Sequence, residues 1–142
     1  MKESILISAC LLGVRCRYDG GSKPQPDAMR LAERYRLIPV CPEQLGGLTT
    51  PRLPSERTGA QVVMRDGTDV TAAYRRGAEE ALRLAELFDC RAAILKERSP
   101  SCGSGEIYDG SFSGALTAGD GVTAEVLKRY GIAVYGESDI PS

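Results

Sequence analysis

Four short apolar runs, at positions 5–8, 37–40, 92–95 and 132–135, alternate along this chain with stretches of helical spacing. Runs of that length, bounded by turn residues, read as strands buried on both faces. Strands of that kind alternating with helices specify a parallel sheet with helices packed against it. The expected fold is therefore α/β, with a mainly parallel, Rossmann-like sheet flanked by helices and long functional loops. The length of 142 residues fits one domain, 1–142, with a core of its own.

The helical stretches differ in clarity. Positions 70–88 carry one apolar stripe, Val70, Ala73, Tyr74, Gly77, Ala78, Ala81, Leu84, Ala85 and Phe88, at a period near 3.6. Gly77 on that stripe predicts close packing on the sheet, and Glu79 with Arg83 predicts an i,i+4 ion pair on the opposite side. A shorter helix is expected to start at Asp27 as cap, with Ala28, Leu31, Ala32 and Tyr35 on one face. A last helix is expected to be capped by Thr123, stapled by Val122 and Leu127, and stopped by Gly131. Positions 42–60 hold Pro42, Pro51, Pro54, Gly46, Gly47 and Gly59 and read as a long irregular loop. A short strand at 62–64 with a turn at Asp66-Gly67 follows. The glycine-rich segment 103–121 predicts irregular backbone in close approach to something else. Its Gly103-Ser104-Gly105 fits neither a Walker loop nor a dinucleotide fingerprint.

The cysteines give the strands a functional reading. In an open parallel sheet the ligand crevice lies at the carboxyl ends of the strands. Cys10 and Cys41 close the first two runs, and Cys102 follows the third by the polar loop 96–101. Cys16, six residues past Cys10, is within reach of the same edge. Cys90 lies at the opposite, amino end of a strand and reads as a small buried apolar residue. The chain has five cysteines and no histidine. The missing histidine excludes a Ser-His-Asp triad, a Cys-His nucleophile, His-ligated zinc and an imidazole base. Proton transfer falls to Glu, Asp, Lys, Tyr, Cys or Ser.

Composition narrows the setting. An odd cysteine count does not suit a secreted disulfide framework. Ile7-Ser8-Ala9-Cys10 has the look of a lipoprotein cleavage box, but the apolar stretch before it falls short of the roughly 7–15 residues of a secretory segment. No run approaches the roughly 20 apolar residues that span a bilayer. The expectation is a reduced, cytoplasmic protein with no membrane partner, in which clustered thiols serve metal or redox chemistry. Net charge is −1 and no basic run stands out, which argues against a nucleic-acid partner. A small uncharged or aromatic ligand remains open.

A structural zinc site usually pairs its ligands as C-x₂₋₄-C knuckles, and no such pair occurs here. An iron–sulfur cluster accepts scattered thiolates, one per iron. Three thiolates on a [4Fe-4S] cluster leave one iron open as a Lewis acid.

Three stretches carry a resemblance. They are Ser8-Ala9-Cys10-Leu11-Leu12-Gly13 with Arg17-Tyr18-Asp19-Gly20, then Pro39-Val40-Cys41-Pro42-Glu43, then Lys96-Glu97-Arg98-Ser99-Pro100-Ser101-Cys102-Gly103. In that order they resemble the bacterial thiouracil desulfidase family, over nearly the whole chain. The resemblance implies an oxygen-sensitive [4Fe-4S] cluster on Cys10, Cys41 and Cys102, and removal of sulfur from thiouracil, a small thiolated pyrimidine, to give uracil and sulfide. Cys16 is then a fourth ligand, a neighbour of the site, or unrelated to it. The family's catalytic glutamate matches Glu43, and its serine falls on Ser101, favoured because it adjoins a ligand, or on Ser99.

The residues suit that chemistry. A thiocarbonyl sulfur is soft and prefers iron to a hard cation. Glu43 can activate the water that replaces sulfur, and a serine can orient it or pass a proton. Arg17, Arg52 and Arg57 fall on loops expected to ring the crevice and bind substrate, with Tyr18 and Tyr108 placed to stack on a pyrimidine. Two other readings stay open: a non-catalytic metal- or thiol-based sensor, and a desulfidase of thiolated tRNA nucleosides, the latter disfavoured by the near-neutral charge.

Overall fold

The structure is a computed structural model that describes residues 2–140. The first half of the chain forms β1 (Glu3–Ser8), α1 (Pro26–Arg30), β2 (Tyr35–Val40), α2 (Pro42–Leu45), β3 (Ser55–Thr58) and β4 (Gln61–Met64). The second half forms α3 (Thr71–Leu87), β5 (Ala92–Leu95), β6 (Glu106–Tyr108), β7 (Leu116–Ala118), α4 (Val122–Arg129) and β8 (Ala133–Gly136). The four apolar runs make a single parallel sheet in the order β2-β1-β5-β8.

Alternation along the central strand shows why both faces must be covered. Leu6 packs with Ala81 and Ala85 of α3 and with Ala124 and Leu127 of α4 on one face. Ile5 and Ile7 point the other way, into a cluster with Leu11, Ala28 and Leu31. Burying a Leu or Ile side chain of this kind stabilises by about 1.5–3 kcal/mol. Both faces are therefore closed, and only the strand ends remain free to build a site.

Several local expectations change. The first helix is cut to one turn: Gln25 precedes it without a side-chain cap, Asp27 lies in its first turn, and Leu31–Glu33 is a 3-10 turn. Tyr35 opens β2 instead of extending that helix. Thr123 does not cap α4. Gly121 holds that position, and Thr123 is fully buried within the first turn. Phe88 is exposed beyond the end of α3. Arg83 pairs with Glu80, not with Glu79. The segment 42–60 is not wholly irregular, since it contains α2 and the strand β3, which pairs antiparallel with β4. The glycine-rich segment likewise contains the hairpin β6–β7.

Gly77 is in close contact, but with α2 in place of the sheet. A Cβ at Gly77 would collide with the Pro42 carbonyl oxygen, and one at Gly46 with the carbonyl oxygen of Ala73. The backbones of α2 and α3 thus cross at a separation only glycine permits. That crossing fixes α2, the turn that follows Cys41 and carries Glu43.

Candidate active site

Beyond the carboxyl ends of β1, β2 and β5 the chain lines an open cavity of about 530 Å³, within the range of small-molecule sites. Three strand ends deliver cysteines to it. β1 runs into a 3-10 turn, Ala9–Leu12, that holds Cys10. β2 ends at Cys41, which is extended and precedes Pro42 as the first residue of α2. β5 is followed by the loop that reaches Cys102. Cys16 arrives from the loop after the 3-10 turn, and all four line the same cavity. Cys90 sits instead in the apolar core shared with α3, on no functional surface.

The thiols perturb one another. The Cys16 thiol is raised above its usual range, first by its hydrogen bond with Cys10 and further by burial. Cys41 is raised much more, chiefly by its hydrogen bond with Cys16 and then by burial. Burial alone accounts for most of the shift of Cys102, pushed up to about 12, while the hydroxyls of Ser8 and Ser101 oppose it. Thiols crowded out of water in this way hold protons that a cationic metal centre would replace, so the donor set fits a thiolate-bound metal group. Among the described residues no three His, Cys, Asp or Glu side chains gather tightly enough for a single metal ion. A multi-iron cluster asks for one thiolate per iron, and the cysteines after three separate strands line one cavity.

Glu43 lies at the start of α2, lines the cavity, and is gripped from behind. Arg52 Nε donates to Glu43 Oε1 at 3.0 Å. The Arg52 side chain is only 3% exposed, so the pair is shielded from solvent. Its other nitrogens donate to the carbonyl oxygens of Cys16 (2.9 Å) and Thr49 (3.0 Å) and to Thr50 Oγ1 (2.9 Å). One guanidinium therefore joins the Cys16 loop to the Glu43 carboxylate. Tyr74 of α3, also on the cavity wall, has its hydroxyl pKa raised by burial and by the nearby Glu43 charge.

The two serines separate. Ser99 lines the cavity, and its Oγ accepts from the backbone N–H groups of Ser101 and Cys102 at 3.1 Å each. Those bonds use its lone pairs and leave its own O–H without an acceptor among the described residues. Ser101, favoured from sequence, is 1% exposed and absent from the cavity wall. Its hydroxyl is shared with Thr123 Oγ1 at 3.1 Å, and the Cys102 thiol donates to it at 3.8 Å.

Of the arginines, Arg17 and Arg52 line the cavity, and Tyr18 and Tyr108 join them. Arg57 does not. Its guanidinium donates to the carbonyl oxygens of Gly59 and Asp120 and to Glu125 Oε2, tying the β3–β4 hairpin to α4. Ser8, Lys96, Glu56, Tyr74 and Phe112 also line the cavity and were not singled out from sequence. Ser8 and Lys96 occupy strand ends and were open to the same reasoning as the cysteines. Tyr74 is one more apolar position of a helix stripe and carries no distinguishing signal.

A protein-family model described as 2-thiouracil desulfurase matches residues 5–139. The chain belongs to the 2-thiouracil desulfurase family. The likeness extends through whole chains. A Bacillus subtilis (strain 168) relative, the uncharacterized protein YbbK, is 42% identical, over 96% of this chain and 97% of its own. The solved structure of TudS, a [4Fe-4S]-dependent thiouracil desulfidase, superimposes with a TM-score of 0.93 at 51% identity, covering 99% of this chain and 94% of that one. The α/β fold of this desulfurase-family member is thus shared with a known iron–sulfur enzyme. No helix among its described residues is long and apolar enough to cross a membrane.

Proposed function

We propose that this chain is a [4Fe-4S]-dependent desulfidase that converts thiouracil and water to uracil and hydrogen sulfide. The observation that carries the reading is the meeting of four cysteines and Glu43 on one cavity at the carboxyl edge of the sheet. It is supported by the 51% identity to TudS. Cys10, Cys41 and Cys102 would hold the cluster, with Cys16 as the neighbour whose carbonyl oxygen accepts from the Cys41 thiol at 3.6 Å. When bound, the cluster supplies a thiophilic Lewis acid for the sulfur of the substrate.

The protein's own groups do the rest. Glu43 accepts a proton from the water whose oxygen bonds to the thiocarbonyl carbon. Arg52 keeps that carboxylate facing the cavity. The carbon–sulfur bond breaks and sulfur departs with its electron pair as hydrosulfide, so no net electron transfer occurs. The free O–H of Ser99 is placed to orient the water or return a proton, while Ser101 supports the Cys102 turn. The Arg52 and Glu43 side chains are only 3% and 16% exposed, which keeps their ion pair strong.

Anaerobic turnover is the test. Protein carrying iron and sulfide in equal amount should release uracil and sulfide one-to-one from thiouracil, and cluster-free protein should release neither. A fully loaded protein that leaves thiouracil intact would overturn the reading and favour a sensor.

A further inference from the structure

We infer that Phe112 is the stacking platform for the pyrimidine ring, an inference that rests on the desulfidase reading and names what selects its substrate. Phe112 lies between β6 and β7 and lines the cavity. Its backbone is left-handed, with φ +55°. For a bulky residue that conformation is a genuine outlier, and strain of this kind persists where the surroundings over-determine it, often at ligand clamps.

The surroundings here are specific. Glu56, a buried carboxylate on β3, accepts from the N–H groups of Gly110 (3.0 Å) and Phe112 (3.1 Å) through one oxygen, Oε1. The loop is seated so closely that a Cβ at Gly110 would collide with Thr58 Oγ1. Arg65 places its guanidinium carbon 5.8 Å from the centre of the Phe112 ring and lines the cavity beside it. Glu56 and Arg65 thus come from both strands' side of the β3–β4 hairpin to hold one aromatic residue in an unfavourable conformation against the cavity.

Chemistry says what that ring is for. A thiolated pyrimidine is planar and offers a π-face, and stacking on an aromatic side chain tolerates changes at the ring edge. The cysteines and Glu43 form the polar wall for the sulfur-bearing carbon, and an aromatic ring with no polar atom complements the ring face. Of the other cavity aromatics, Tyr74 is 2% exposed within α3 with its hydroxyl beside Glu43, Tyr108 lies in a regular strand, and Tyr18 is in a loop and 39% exposed.

The chain has two phenylalanines, Phe88 and Phe112, which makes a direct test possible. In holoenzyme with ¹³C-ring-labelled phenylalanine, titration with uracil should shift or broaden the Phe112 signal and leave that of Phe88 unchanged. No saturable change at Phe112 overturns the proposal. Phe112→Leu keeps apolar bulk without a π-face and should raise KM for thiouracil roughly tenfold, with kcat and cluster content little changed. Phe112→Tyr should restore KM. A Phe112→Leu KM within about twofold of the parent overturns stacking even though turnover itself, and with it the desulfidase reading, stands. Phe112→Gly relieves the left-handed strain, so its melting temperature should hold or rise while KM worsens. A lower melting temperature with unchanged KM would mean that Phe112 serves packing alone.

Discussion

Arg52 Nε donates to Glu43 Oε1 at 3.0 Å, and its guanidinium reaches the Cys16 carbonyl oxygen at 2.9 Å from the same buried position. The proposed base and the thiol loop are thereby held by one rigid planar group. Four of the five Arg52 N–H groups are engaged in this way, on Glu43, Thr49, Thr50 and Cys16. On the proposed mechanism Arg52 is therefore a positioning residue for the carboxylate.

Loss of the base should separate chemistry from assembly. Glu43→Gln keeps the shape and an acceptor oxygen for Arg52 but removes basicity. It should retain cluster and thiouracil binding while kcat falls by roughly 10²–10⁴-fold. Anaerobic uracil release, with iron measured on the same sample, checks this. Turnover near that of the parent would remove Glu43 from the mechanism and turn attention to Glu97.

Arg52→Lys cannot reproduce the fork, because an ammonium is a compact donor set on a flexible stem. A misplaced carboxylate can cost on the order of 10²-fold in rate. Arg52→Lys should therefore lower kcat by roughly ten- to a hundredfold with KM little changed. Arg52→Met leaves Glu43 partly buried and unpaired and should also destabilise the fold by about 3 kcal/mol, read by denaturant unfolding.

The thiols should sort into classes. Serine at Cys10, Cys41 or Cys102 should abolish a bound cluster, read as iron and sulfide content after anaerobic reconstitution. Cys90→Ser should leave it intact, since Cys90 lies in the core away from the cavity. Cys16→Ser should keep the cluster and alter its stability, because Cys16 lines the same cavity as Cys10 and Cys41. Complete loss in Cys16→Ser would mean a closed four-thiolate site better suited to sensing.

What the sequence disclosed follows from what is local. The runs around Leu6, Ile38, Ile94 and Val134 identify themselves by composition, and strand ends place Cys10 and Cys41 without knowledge of the loops. Side-chain partners across the fold are another matter. Arg57 looked like a crevice residue because it sits in a loop-rich segment, yet its partners are Asp120 and Glu125, more than sixty residues away. Ser101 and Ser99 are equivalent as letters, and only the return of α4 brings Thr123 to one of them. Gly77 announced a close approach but not to what. Phe112 carried no signal, since a left-handed φ at phenylalanine has no sequence signature.

Acid should loosen the glycine-rich segment through Asp120. Burial pushes the Asp120 carboxyl up, but the hydrogen bond from Lys128, the Gly105 N–H and the nearby charges outweigh it and hold the group below the usual carboxylate range. The Lys128 and Gly105 contacts are 2.9 and 2.8 Å. A depressed folded-state pKa contributes stability above the unfolded value, about 3.9, which is lost as pH falls through the folded one. Asp120→Asn should cost about 1 kcal/mol at pH 7, and that difference should vanish towards pH 2–3. Parallel melting curves at the two pH values decide it; a difference that persists in acid would assign it to packing.

The two serines make opposite predictions. Ser99 lines the cavity and keeps a free O–H, so Ser99→Ala should lower kcat more than it lowers stability. Its loss also removes an acceptor from two N–H groups, so a modest fall in melting temperature accompanies the kinetic effect. Ser101 is buried against Thr123, and Ser101→Ala leaves the Thr123 hydroxyl without that partner. An unpaired buried hydroxyl costs about 1–3 kcal/mol, so the main effect of Ser101→Ala should be on stability. Its turnover per cluster should stay within a few-fold of the parent. Turnover per iron, measured beside unfolding on the same preparations, separates the two. A stable, fully loaded Ser101→Ala protein without activity would reverse the assignment and make Ser101 the proton-handling group.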